Sequence, residues 1–143
     1  MRVLPPLFRM IAALVLALGL VLAVEGQQAS EKPYTVQDGK VDKKPFNGWR
    51  RYTESCLRCH GPDGAGSSYG PDLVDSTKRL TQDEFNEVVV NGRTNVTAAS
   101  TSVMPPFGEV EDVVTYLDDI WAYLKARADG ALGRGRPPRI VTR

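Results

Sequence analysis

The chain is poor in metal-binding and cross-linking side chains. Its 143 residues include one histidine, two cysteines and three methionines. A tetrahedral zinc site needs about four ligands, and Cys56, Cys59 and His60 are the whole Cys/His supply, so a zinc domain is a weak reading. No βαβ pattern surrounds the two cysteines, which argues against a thioredoxin-type redox pair. A plain disulfide between them is the third reading, and it leaves the adjacent histidine without a purpose. An excess of one charge is also missing: 18 Lys and Arg stand against 17 Asp and Glu, so nothing marks the whole molecule as a nucleic-acid binder. The longest apolar run, within 10–22, is shorter than the roughly 20 residues that span a bilayer. At this length one small domain with a single core is expected.

What is present begins with an export pattern. Arg2 and Arg9 form a positive start, 10–22 is an apolar segment, and Val21-Leu22-Ala23 offers a small-residue cleavage site. Residues 1–23 thus read as a secretory signal peptide, with an uncleaved membrane anchor as the alternative. The central motif is Cys56-Leu57-Arg58-Cys59-His60. C-x-x-C-H is the attachment sequence of a c-type haem, whose vinyl groups take the two thiols while the histidine ligates the iron. Such attachment needs reduced thiols and, in bacteria, an assembly system outside the cytoplasmic membrane, which agrees with export.

Residues 24–45 are polar and read as an extended arm, in which Tyr34-Thr35-Val36 before Asp38-Gly39 could form a small hairpin. From Phe46 the pattern is helical. Gly48, Tyr52 and Cys56 share one face, so the glycine would let another helix cross closely and the tyrosine would fill the seam. Gly61 to Gly66 ends that helix in turns. A metal-bound histidine usually donates its other ring N–H to a carbonyl; Pro71 is a candidate source, although a loop proline can also be purely conformational.

Thr81-Gln82-Asp83-Glu84 is a capping box with Phe85, Val88 and Val89 behind it, and Asn91-Gly92 stops the helix. Arg93 is either a hydrogen-bond donor to a haem propionate or a solvated arginine. Residues 94–102 are small and hydroxylic and read as loop. Residues 109–128 read as one amphipathic helix, with Val110, Val113, Val114, Leu117, Ile120, Trp121 and Leu124 at steps of three and four. Trp121 is expected in the core and Tyr123 at the surface. Residues 129–143 form a Gly/Pro/Arg tail expected to be disordered. Residues 24–133 carry 12 basic against 17 acidic side chains, and Arg134, Arg136, Arg139 and Arg143 follow, giving an acidic body with a basic tail.

With a single histidine, bis-histidine ligation within the chain is impossible. Beyond the leader Met104 is the only methionine. Held before Pro105-Pro106, it suits rigid presentation of a thioether better than the plastic core filling usual for methionine. The alternative is a core methionine with an open or water-bound iron. Met/His ligation raises the potential relative to two nitrogen ligands and closes the sixth position, which favours carrying an electron over bond chemistry.

Taken together, Gly48-x-x-x-Tyr52 before Cys56-x-x-Cys59-His60, then Gly70-Pro71-x-Leu73, Met104-Pro105-Pro106-Phe107 and Trp121-x-Tyr123-Leu124 resemble the class I c-type cytochromes. That resemblance implies an all-α class I cytochrome c fold over 46–128 with first and last helices crossing near Gly48. It also implies one haem c held by Cys56 and Cys59, proximal His60 braced by the Pro71 carbonyl, and distal Met104. Tyr52 to Cys59, Asn91-Gly92-Arg93, Tyr116 to Ile120 and Asp129 to Pro137 are similar to the methanol-metabolism-related c-type cytochromes. This closer likeness implies a monomeric, non-enzymatic periplasmic electron carrier. Its donor would be a PQQ-dependent alcohol dehydrogenase and its acceptor another cytochrome or a terminal oxidase. Members of that group often carry an additional cysteine pair, and this chain has none. Two competing classes are a haem peroxidase, which requires Met104 off the iron, and a haem subunit of a membrane oxidoreductase, which requires an uncleaved leader.

Overall fold

A computed structural model describes residues 31–98 and 101–141. The signal segment 1–23, the arm through residue 30, the loop residues 99–100 and the last two residues lie outside the described residues.

Gly48 decides how the chain closes. Helix α1, Lys43–Ser55, buries Pro45, Gly48 and Tyr52, and a Cβ at Gly48 would stand 1.8 Å from the Asp119 carbonyl oxygen. The backbones of α1 and α6, Leu117–Ala128, therefore touch. Only a residue without a side chain permits that approach. Beside the crossing Asn47 donates to an Asp119 carboxylate oxygen at 2.7 Å, and the rings of Tyr52 and Tyr123 pack 5.6 Å apart. Helix α6 is buried on most sides, with Leu117, Ile120, Trp121, Ala122, Tyr123, Leu124 and Ala126 all inside. Tyr123 is thus a core residue and not the surface residue expected from sequence; α1 covers the face that a one-sided helix would expose to water.

The single helix expected over 109–128 is two. Helix α5, Glu111–Thr115, stops at Tyr116, whose φ of −115° and ψ of 22° leave the helical region. Arg51 braces the corner: its guanidinium lies 4.6 Å from the Tyr116 ring centre and donates to Asp112 at 3.0 Å. After the motif a further helix, α3 at Leu73–Arg79, is capped by Asp72, which accepts from the Asp75 N–H at 2.7 Å. Two turns are too short to announce themselves by periodicity. Helix α4, Gln82–Asn91, has the expected capping box at Thr81 and Glu84, and Phe85 packs 5.3 Å from Trp121. The short helix that carries the motif is α2, Leu57–His60.

Two antiparallel hairpins complete the described fold. Strands β1, Val36–Gln37, and β2, Lys40–Val41, join through Asp38 and Gly39, both at positive φ; Asp-Gly is the sequence that such a tight turn favours. The arm is not loose here: Tyr34 and Val41 are buried, and the Tyr34 hydroxyl donates to Asp129 at 2.8 Å. Strands β3, Arg93–Val96, and β4, Thr101–Met104, occupy the stretch read as loop, in the register Arg93 to Met104 through Val96 to Thr101.

The tail also departs from expectation. Leu132 is buried. Arg136 lies 5.7 Å and 5.6 Å from the rings of Phe46 and Trp49, and Arg139 lies 5.1 Å from Phe46. The Val41 N–H donates to the Pro138 carbonyl at 2.9 Å and the Ile140 N–H to the Val41 carbonyl at 2.8 Å. Through residue 141 the segment is docked, because aromatic faces and backbone partners far away in sequence receive it.

Candidate cofactor site

The attachment motif lies where α1 gives way to α2. The Cys56 N–H still donates to the Tyr52 carbonyl at 2.8 Å, and the His60 N–H to the Cys56 carbonyl at 3.0 Å. One turn of helix thus brings both thiols and the imidazole to one region. Both thiols are free, Cys56 half-buried and Cys59 exposed. Burial, and secondarily the neighbouring Cys59, pushes the Cys56 thiol up to about 12. Below Cys56 the buried Tyr52 hydroxyl donates to the Gly61 carbonyl, anchoring the turn that leaves the motif.

His60 is buried, with Nδ1 2.9 Å from the Pro71 carbonyl oxygen. A carbonyl only accepts, so Nδ1 carries the proton and Nε2 keeps the lone pair that a metal needs. The approach of this loop is close: a Cβ at Gly70 would lie 3.0 Å from His60 Nδ1 and 2.9 Å from the Cys59 carbonyl oxygen. Ser67 ties the loop down by donating from Oγ to the same Cys59 carbonyl at 2.6 Å.

Met104 reaches the same cleft from a different element. It ends β4, paired across the hairpin with Arg93, and the following Pro105-Pro106 cannot donate to any ladder. Next, the N–H groups of Phe107 and Gly108 donate to the Val89 and Val90 carbonyls at 3.0 and 3.1 Å, stitching the chain to the end of α4. At the hairpin's base Gly92 has φ 73°, and a Cβ there would stand 2.6 Å from the Met104 carbonyl oxygen. Met104 is thus fixed from both sides.

Cys56, Cys59, His60, Pro71, Arg93 and Met104 all line one cleft. An adjoining chamber shares five of them, all but Cys59, and has apolar walls that include Leu73, Phe85, Val89, Ile120 and Leu124. The donors are two thiols, one imidazole and one thioether, and among the described residues no group of three or more His, Cys, Asp or Glu could hold a metal ion. That donor set fits a metal delivered inside an apolar organic ring and bonded through sulfur, as in haem c. Arg93 is exposed at the mouth, where a carboxylate of such a group would meet water. Tyr69, Asn95 and Val103 also line the mouth. Sequence reasoning missed them, because Asn95 and Val103 reach it only through the unforeseen hairpin.

Comparison with known proteins points the same way. The family model described as cytochrome C oxidase, cbb3-type, subunit III matches residues 44–124. Cytochrome c-553I of Paracoccus denitrificans is 46% identical over 103 residues, covering 72% of this chain and 46% of that protein. The chain thus spans about half the length of that relative. Cytochrome c-555 of Methylococcus capsulatus is 38% identical over 96 residues, 66% of this chain and 72% of that protein. The crystal structure of c-type cytochrome XoxG from Methylobacterium extorquens AM1 superimposes with a TM-score of 0.67 at 38% identity, over 87% of this chain and 83% of that one.

Proposed function

This chain belongs to the cytochrome c family, has the class I fold and binds haem c covalently, and from that premise we propose that it is a periplasmic single-haem carrier for a PQQ-dependent, methanol-type alcohol dehydrogenase. It is a small c-type cytochrome electron carrier; the donor, the acceptor and the compartment are the proposal. The likeness to a cytochrome titled XoxG from a Methylobacterium supports the donor class. The acceptor is another cytochrome or a terminal oxidase, and the leader is removed near Val24, leaving a monomer.

Haem c supplies a one-electron iron couple when bound. Cys56 and Cys59 would hold it through thioether bonds. His60 would offer Nε2 to the iron, oriented by its Nδ1–H on the Pro71 carbonyl. Met104 would offer its thioether, and Arg93 would donate to a propionate at the mouth. The observation that carries this reading is that all six residues border one cleft, with the His60 tautomer fixed by Pro71. With His60 and Met104 both on the iron, no position would remain for peroxide or oxygen, which suits relaying electrons over catalysing bond changes.

The test is reduction of the purified holoprotein by PQQ-dependent alcohol dehydrogenase with methanol as substrate. Rapid reduction and a mass equal to the chain from about Val24 plus one haem are expected. Reduction by another periplasmic donor but by no quinoprotein would overturn the methanol assignment. A second reading, a haem subunit of a membrane oxidoreductase, draws on the oxidase-subunit description of the family model. No helix among the described residues is long and apolar enough to cross a membrane; recovery of the chain only in a detergent-extracted complex with its leader intact would favour it.

A further inference from the structure

The docked C-terminal segment meets the site through one carboxylate. Asp63 stands in the turn after the motif at φ 60°, a left-handed conformation unusual for a residue other than glycine, though Asp tolerates it better than most. Its side chain is only 12% exposed. One carboxylate oxygen accepts from the Gly135 N–H at 2.8 Å, and the other from Arg134 Nε at 3.2 Å. From α6, Arg127 Nε donates to the Asp63 main-chain carbonyl at 3.4 Å and Arg127 Nη1 donates to the Leu132 carbonyl at 2.9 Å. Turn and tail are thus pinned to the same arginine.

From the Asp63 turn three contacts lead toward the imidazole. The turn closes where the Gly66 N–H donates to the His60 carbonyl at 2.8 Å. Gly66 then lies directly on the segment that braces the ring: a Cβ there would be 3.2 Å from the Pro71 carbonyl carbon and 2.8 Å from the Asp72 nitrogen. Pro71 holds His60 Nδ1. Movement of the turn is therefore passed to the carbonyl that sets the ring's orientation.

We propose that residues 132–141 act as a strap and that Asp63, gripped by Arg134 and Gly135, is a positioning residue that keeps the Pro71 carbonyl on His60. This rests on the reading of His60 as the iron's proximal ligand. The strap's remaining anchors, Arg136 on Phe46 and Trp49, Arg139 on Phe46 and the bridge to Val41, hold it against α1 and β2. Its loss would free the turn without removing any residue that touches the cofactor.

The test uses the ferrous holoprotein, which is diamagnetic, and follows solvent exchange of the His60 Nδ1 proton by NMR together with the midpoint potential. Arg134 is largely exposed, so Arg134→Ala should speed exchange only about threefold, as the loss of a surface ion pair allows. A chain ending at Gly133 loses both grips on Asp63, and exchange should rise by about tenfold or more, with a shift in potential. Arg134→Lys should stay close to wild type. Exchange and potential unchanged in the shortened chain, with only the melting temperature lowered, would overturn the proposal and make the strap a plain stabiliser. Failure of the ligand reading shows separately, as a wild-type protein whose His60 ring lacks the signature of iron ligation.

Discussion

At the scale of single residues, the site depends on scarcity. With one histidine in the sequence and one methionine after residue 10, no second imidazole or thioether can replace a lost axial ligand. Met104→Ala should therefore give a high-spin ferric protein that lacks the weak red sulfur-to-iron band, has a lower potential and shows peroxidase-like side activity. Absorption spectra of mutant and wild type check it, and a wild type without the band would refute the assignment. Away from the cleft, Tyr34 carries a pH dependence. Burial first, then its hydrogen bond to Asp129, pushes its phenol up to about 12 from 10.0. The folded state holds this proton more tightly, so the stabilisation is complete below pH 10 and fades as pH rises toward 12. Tyr34→Phe should cost about 1 kcal/mol at neutral pH, and the gap between mutant and wild type should narrow over that window in denaturant titrations. Tyr52 and Tyr123, also raised by burial, ionise in both proteins and cancel in the difference.

At the scale of elements, the hairpin of β3 and β4 presents Met104, and Gly92 sets its angle. Gly92→Ala adds a strained positive φ and places a Cβ 2.6 Å from the Met104 carbonyl and 2.8 Å from Pro106 N. The expected result is a protein that keeps covalent haem but has a weakened sulfur-to-iron band and about 1–3 kcal/mol less stability; an unchanged spectrum would show that the hairpin's base does not position Met104. Elements with a local signature were legible in the sequence: the attachment motif, the capping box at Thr81, the Asp38-Gly39 turn and the close crossing at Gly48. The β3–β4 hairpin was not, because its exposed strands show no alternation of apolar and polar residues and its pairing is defined across the loop. The corner at Tyr116 was hidden for another reason. The apolar steps continue through it, and the Arg51 contact that braces it comes from 65 positions earlier in the sequence.

At the scale of the whole molecule, charge was legible as composition but not as placement. The Gly/Pro/Arg tail looks disordered by composition, yet Arg134 is paired with Asp63 and Arg136 and Arg139 lie on aromatic rings. These arginines are held on the surface by partners within the chain. Docked arginines keep their charge, so residues 24–143 hold 16 basic against 17 acidic side chains, and the two propionates of a bound haem would leave a small acidic excess to steer the protein toward a basic donor surface. Reduction by the dehydrogenase should then slow with added salt, by up to about tenfold. Stopped-flow rates across ionic strengths check this, and rates that rise with salt would mean that the basic groups face the donor.

The backbone contact between Gly48 and Asp119 has one further consequence, for the order in which the chain can fold. The two helices that close the core are 71 positions apart, so a chain delivered from its N-terminus, on a ribosome or through a membrane pore, cannot complete its core until α6 has emerged. During that interval Cys56, half-buried in the finished fold, would be fully open to the machinery that must join it to its cofactor.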